Sequence, residues 1–238
     1  MKTLIGSLVF FFALSSIFSE EVGVVTFIQG STNLSGPRNK KPTPLKINQV
    51  LRVGDKVTTV DGICEIQLAT QATIRMEKYT SLSLDEILNP STKRTTVKAY
   101  SGKLFVKAHK QEAGKEQKLS IVAPSYVAGV RGTEFIVALP DAGGTNEDLK
   151  LADGVYVNEG TVAVGDPKKK KDVLVGANEE IVVSGSEFKK QILNEYAKEK
   201  MIIFEHLKQI KEENYNLIKE QNLKNSDLID SMKGKTTP

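Results

Sequence analysis

The chain has no tryptophan, one cysteine and two histidines in 238 residues. A single cysteine, Cys64, excludes an intrachain disulfide. His109 and His206 are too few for a Cys/His metal cage and lie too far apart in sequence to anchor a Ser-His-Asp or Cys-His nucleophilic set. Both are expected at the surface. No glycine-rich phosphate loop or dinucleotide fingerprint is present. Charge is nearly balanced, with 33 Lys and Arg against 29 Asp and Glu, a net of +4. That gives no reason to expect a nucleic acid partner. With 39% apolar and 26% charged residues, the chain can fill a sizeable core. Together these features argue against an enzyme and imply no cofactor or metal.

Long apolar runs are also missing after the first one. Met1-Lys2 is followed by an apolar stretch from Leu4 to Ile17, then Ser15, Ser16 and Ser19 before Glu20-Glu21. A basic start, a short apolar centre and small residues at the end describe a secretory signal peptide over 1–19, cleaved after Ser19. The run falls short of the roughly 20 residues a membrane span needs. An exported protein, periplasmic or secreted, is therefore expected. No transmembrane segment is expected in the mature chain, and any membrane contact would be peripheral. Cys64, flanked by Ile63, Ile66 and Leu68, is expected to be buried.

Residues 20–184 read as a β-domain. Short alternating runs recur between turn residues, among them Cys64–Leu68, Thr73–Met76, Leu119–Val122, Glu134–Ala138, Gly154–Val157 and Glu180–Val183. Asp61-Gly62 and Ser101-Gly102 mark breaks between strands, the first as a hairpin signal. The spacing predicts a mainly β fold, a sandwich or a short solenoid-like roll of short strands. Pro37 to Lys46 reads as a basic, proline-rich loop, and Asp141 to Asp148 as an acidic, glycine-rich one. Asp141, Asn146, Glu147 and Asp148 carry oxygen donors, but their spacing departs from a calcium-binding helix–loop–helix. Lys168, Lys169, Lys170 and Lys171 fall in a late turn. With Lys40 and Lys41 they are candidate anion contacts, against the simpler reading of solvated loop tips.

After Ser184 the period changes. Ser184 with Glu187 forms a capping-box pattern, and no Pro or Gly follows from Glu187 to Lys224. A helix over 185–224 is predicted, about 50–60 Å long at roughly 1.5 Å per residue. Leu193, Tyr196, Lys200, Ile203, Leu207, Ile210, Asn214, Leu217 and Gln221 alternate at spacings of three and four. The apolar members (Leu193, Tyr196, Ile203, Leu207, Ile210 and Leu217) are candidate partner contacts in a coiled coil, or a stripe folded back on the β-domain. Residues 225–238 are polar and expected to be a disordered tail.

Ala123-Pro-Ser-Tyr-Val-Ala-Gly-Val-Arg-Gly-Thr-Glu-Phe-Ile-Val137 resembles the signature of the FecR domain family, extracytoplasmic bacterial modules named after a regulator of ferric citrate uptake. The likeness extends in order through Leu51–Thr59, Cys64–Leu68, Ile74–Met76, Tyr100–Val106, Tyr156–Val164 and Val175–Ile181, covering roughly 22–183. Thr70-Gln-Ala-Thr73 departs from the family's Asp-Gly-Ser turn. The signature positions are Gly54, Asp55, Pro124, Gly129, Val130, Arg131, Gly132, Thr133, Phe135 and Gly160. A structural role is expected for them. Gly129 and Gly132 would permit positive φ or close approach, Thr133 would bond the turn backbone, and Arg131 would reach carbonyls or Glu134. The alternative is an anion held by Arg131.

The resemblance implies a non-catalytic binding or scaffold module making protein–protein contacts in the bacterial cell envelope, or self-associating through its helix. Regulators of the family carry a cytoplasmic anti-sigma segment and a membrane helix before this domain. Neither is expected where the domain follows a signal peptide directly. The alternatives are a sensor for an anionic glycan or cell-wall fragment, or an accessory part of a surface-signalling system.

Overall fold

The computed structural model describes residues 21–70, 72–86, 94–108, 118–130, 132–166, 172–185 and 187–206. The strands in order are β1 (Glu21–Gln29), β2 (Thr32–Gly36), β3 (Asn39–Pro44), β4 (Val50–Arg52), β5 (Lys56–Thr59), β6 (Ile63–Leu68), β7 (Thr73–Met76), β8 (Ser81–Glu86) and β9 (Arg94–Ser101). There follow β10 (Lys103–Lys107), β11 (Lys118–Val122), β12 (Val127–Val130), β13 (Glu134–Ala138), β14 (Gly154–Glu159), β15 (Thr161–Gly165), β16 (Asp172–Gly176), β17 (Glu179–Ser184) and β18 (Glu187–Ile192), then helix α1 (Glu195–Met201).

These strands form two nine-stranded sheets. Sheet 1 runs β18-β17-β14-β13-β10-β7-β6-β1-β4, and sheet 2 runs β16-β15-β12-β11-β9-β8-β5-β2-β3. The chain changes sheet after every one or two strands and advances along both in the same direction. The result is a two-layered roll in which all neighbours are antiparallel except β9 and β11. Asp61-Gly62 is therefore a corner between β5 of sheet 2 and β6 of sheet 1, not a hairpin within one sheet. Ser101-Gly102 is a corner of the same kind between β9 and β10.

Alternation places Val25, Cys64, Ile66, Ile74, Met76, Leu104, Val106, Phe135 and Val137 of sheet 1 against Val57, Leu82, Leu84, Val97, Ile121, Val162 and Val164 of sheet 2, all fully buried. Packing this apolar layer between the sheets supplies the main stabilisation. At β10, β13 and β14 the outer face of sheet 1 is buried as well. Phe105, Ile136, Ala138 and Tyr156 lie there under Leu149 and Leu151 of the preceding loop and under Leu193, Ala197, Met201 and Phe204.

Four expectations are corrected. The Pro37–Lys46 segment is not a free loop. Residues 39–44 are the edge strand β3, where Pro42 and Pro44 are tolerated because one side needs no donors. The β-domain does not stop at 184, since Glu187–Ile192 pairs antiparallel with β17 over its whole length. The capping box at Ser184 is not used. The helix starts at Glu195, with Asn194 accepting from Ala197 N at 2.8 Å. Pairing with β17 outweighs the helical preference of Glu, Lys and Gln in that segment. The buried stripe also differs from the heptad reading. Leu193, Ala197, Met201 and Phe204 face the sheet, while Tyr196 is exposed and Ile203 half-buried. Residues 207–224, with Leu207, Ile210 and Leu217, and the tail 225–238 lie outside the described residues, as does the leader 1–19.

Candidate functional site

Most of the described signature residues fall at corners or on the inner faces of the roll; Gly129 does not. Gly54 and Asp55 turn the chain from β4 into β5. Gly54 N donates to Leu84 O at 2.7 Å, and Leu84 N to Asp55 O at 3.0 Å, so the corner is tied to β8. The Asp55 carboxylate is buried and accepts from Arg52 N at 2.9 Å and from Arg38 Nη2 at 3.0 and 3.1 Å. Arg38 thus holds the β2–β3 turn against the β4–β5 corner.

Pro124 is exposed in the β11–β12 turn, which closes by Ala123 N donating to Tyr126 O at 2.8 Å. Tyr126 is fully buried, and its hydroxyl lies 3.0 Å from Ala138 O and 2.9 Å from Gly154 O, bridging to sheet 1. Burial pushes its phenol well above the usual range. Val130 and Phe135 are core residues. Gly160 turns β14 into β15 at φ +85°, where an added Cβ would sit 2.5 Å from Thr133 Cγ2 and 2.8 Å from Gly132 O.

Two signature expectations change. Gly132 does adopt positive φ, at 61°, but Gly129 does not. Gly129 lies on the outer side of β12, where an added Cβ would meet only Ala163 O, at 3.8 Å. The Thr133 hydroxyl is buried without a hydrogen-bond partner among the described residues, so it does not bond the turn backbone. Glu134 is taken by Lys107 and by Asn158 Nδ2, the latter at 3.0 Å. Arg131 lies outside the described residues, so neither its expected partners nor its anion role is addressed.

Among the described residues two further buried charges, Glu65 and Lys103, form internal pairs. Arg75 links Glu65 at 2.9 Å and Glu77 at 2.8 Å across β6 and β7. Lys103 pairs with Asp141 at 2.5 Å, and Asn146 N donates to the other Asp141 oxygen at 2.9 Å. Asp153 nearby has its carboxyl raised by burial and by Asp141, against the pull of Lys103. Among the described residues no group of three or more His, Cys, Asp or Glu is arranged to hold a metal ion. Cys64 is buried, and desolvation with Glu65 beside it pushes its thiol up to about 12. A thiol so raised is not a nucleophile at neutral pH.

Of the candidate anion contacts, Lys40 and Lys41 are exposed on β3, one edge of sheet 2. Lys168–Lys171 lie outside the described residues.

The helical candidates divide in two. Leu193 is buried within the chain itself, so it does not contact a partner. Glu180, buried on β17, fixes the start of the helix by accepting from Asn194 N at 3.1 Å, Asn194 Nδ2 at 2.7 Å and Gln191 Nε2 at 2.6 Å. Phe204 meets Phe105 edge-on at 5.6 Å between ring centroids. The Tyr196 hydroxyl accepts from Lys150 N at 2.9 Å. Residues 195–204 therefore dock on sheet 1, and this part of the helix folds back on the domain. The Glu180–Asn194 clamp was missed in sequence, although Asn194 followed by Glu195 is itself a helix-start signal.

Residues 55–163, spanning β5 to β15, match the family described as FecR protein. Two crystal structures of a "putative anti-sigma factor" from Parabacteroides distasonis are 17% and 16% identical, each with a TM-score of 0.47, over 58% of this chain and 60% of theirs. The chain thus spans about three-fifths of the length of those structures. No curated protein matches it.

Proposed function

We propose that the FecR domain at residues 55–163 makes this chain a non-catalytic, protein-binding regulatory module of the bacterial cell envelope. The family match carries this reading. It is supported by where the signature residues sit. Most of the described ones serve corners and core, and the buried carboxylate among them, Asp55, is held by Arg38 within the domain, which suits a frame that presents surfaces. The leader-like residues 1–19 support export to the periplasm or beyond. Helix α1 belongs to the frame. Self-association through it would have to use residues beyond 206.

A sensor for an anionic glycan is the weaker reading, because among the described residues it rests on Lys40 and Lys41 alone, exposed on β3. The two readings separate in one experiment. The exported protein is immobilised and offered envelope proteins, and in parallel polyanionic glycan, at rising salt. The protein-binding reading expects saturable capture of an envelope protein that survives about 0.3 M salt, where surface electrostatics are largely screened. Retention of the glycan alone, lost on replacing Lys168–Lys171 by Gln, overturns it.

A further inference from the structure

The outer face of sheet 1 carries one unbroken cross-strand row. From Glu180 on β17 it passes through Tyr156 and Ile136 to Phe105 on β10, each residue opposite the next. The helical segment lies along this part of the row. It is fixed to Glu180 through Asn194 and reaches Phe105 through Phe204. Advancing ten residues from Asn194 to Phe204 covers roughly 15 Å at about 1.5 Å each. The three strand spacings from β17 to β10 cover roughly 14 Å at about 4.8 Å each. The two lengths match, so the helix runs across the strands and heads for β7, β6 and β1.

The row continues there with a different character. Phe105 is followed by Arg75 on β7, Glu65 on β6 and Phe27 on β1. Arg75 is shared by Glu65 and by Glu77, two residues further along the same face, so two carboxylates answer to one guanidinium. Lys103 and Lys107, on either side, are each engaged with a carboxylate of their own, Asp141 and Glu134. The patch thus keeps one negative charge in excess. Glu65 is only 6% exposed, although it lies two strands past the place where Phe204 rests. A bare sheet face leaves a carboxylate in water, and burying one without full compensation is costly. Beyond it Phe27 is an apolar ring left 38% exposed.

We propose that this half of the row is the docking site of the chain's own residues 207–218, which carry the helix on across β7, β6 and β1. The described chain stops at His206, two residues past Phe204. Three further strand spacings, roughly 14 Å, take about ten residues of helix. The stripe that faces the sheet, Leu193, Ala197, Met201 and Phe204, continues at the same spacings of three and four through Lys208, Lys211, Tyr215 and Ile218. Its order matches the face beneath. Two lysines come where carboxylates are in excess, and Tyr215 and Ile218 come where Phe27 ends the row. The ammonium groups neutralise the charge at Glu65 and Glu77, and the apolar pair covers Phe27. The segment is a strap along sheet 1, not a coiled-coil arm. It closes the outer face of sheet 1 and leaves sheet 2 and the sheet edges to a partner.

The chain has no tryptophan, so Tyr215→Trp supplies a single reporter toward the far end of the strap. In the native exported protein its emission should lie to the blue of that in the urea-unfolded chain and resist quenching by acrylamide, at any protein concentration. Adding Phe27→Asp, or Lys208→Glu together with Lys211→Glu, should shift the emission to the red and restore quenching, while Phe27→Leu should do neither. The lysine changes lie beyond the β-domain, so they decide the matter even where Phe27→Asp fails to fold. A native emission like that of the unfolded chain overturns the proposal. So does a blue emission indifferent to both sets of changes, which buries the segment elsewhere. A blue shift that grows with concentration, with a dimer in light scattering that either set dissolves, would seat the segment of a second copy in the site and overturn docking within one chain.

Discussion

Gly129 and Gly160 belong to one signature, yet the structure gives them opposite sensitivities to a methyl group. At Gly160, alanine must hold φ +85°. That costs about 1–2 kcal/mol for an L-residue. Its Cβ would also lie 2.5 Å from Thr133 Cγ2 and 2.8 Å from the Gly132 carbonyl. Relieving such overlap costs about 1–3 kcal/mol more. The entropy removed from the unfolded chain returns about 0.4–1 kcal/mol. The net is a loss of about 1–5 kcal/mol, or a fall in Tm of about 3–15 °C for a domain of this size. At Gly129 the backbone has no positive φ and the nearest atom is 3.8 Å from the new Cβ. Only the entropic gain of about 0.4–1 kcal/mol remains, so Gly129→Ala should melt at the same temperature or about 1–3 °C higher. Thermal and urea unfolding of both variants beside the wild type measures the difference. Equal losses at the two positions would refute the reasoning, because the signature would then be uniformly structural and the open side of β12 would be misread.

Other consequences follow from named contacts. Asn194→Ala removes the N-cap and should cost about 1 kcal/mol. Exchange at amides 195–204 should accelerate while β10 and β13 stay protected. Cys64, with its thiol raised to about 12 by burial, should react with a disulfide reagent only as fast as the protein unfolds. Labelling in seconds under native conditions would contradict that. Asp153 has a carboxyl raised above 3.8 in the folded state, so the native protein holds its proton more tightly than the unfolded chain. Stability should therefore fall as pH rises from just below 4 through the folded-state pKa, and Asp153→Asn should flatten that part of the pH profile in urea titrations. Tyr126→Phe leaves two carbonyls without their hydroxyl bridge and should cost about 1–2 kcal/mol, read as a lower urea midpoint at unchanged slope.

Much of the strand plan was legible because period-two runs and glycine breaks are local signals. Cys64–Leu68 and Glu134–Ala138 lie where alternation put them. The sheet each strand joins was not legible. A corner and a hairpin use the same turn residues, and Asp61-Gly62 became a corner because β5 and β6 pair with different neighbours. The runs Leu104-Phe105-Val106 and Phe135-Ile136-Val137-Ala138 held an unused clue. Unbroken apolar runs suit strands buried on both faces, and Phe105 and Ile136 are the residues the helix covers. β18 was hidden by composition, since Glu, Lys and Gln favour helix and only the distant partner β17 overrides them. Gly129 shows the limit of reading a glycine from a motif, for its freedom is used only where the backbone requires it.

The central claim, a non-catalytic envelope module that binds another protein, can be tested in the living envelope. A photo-crosslinking residue is placed in turn at the exposed positions Lys41, Leu174 and Ile192. The account predicts a discrete protein adduct from at least one of them. No protein adduct from any of the three positions would contradict it.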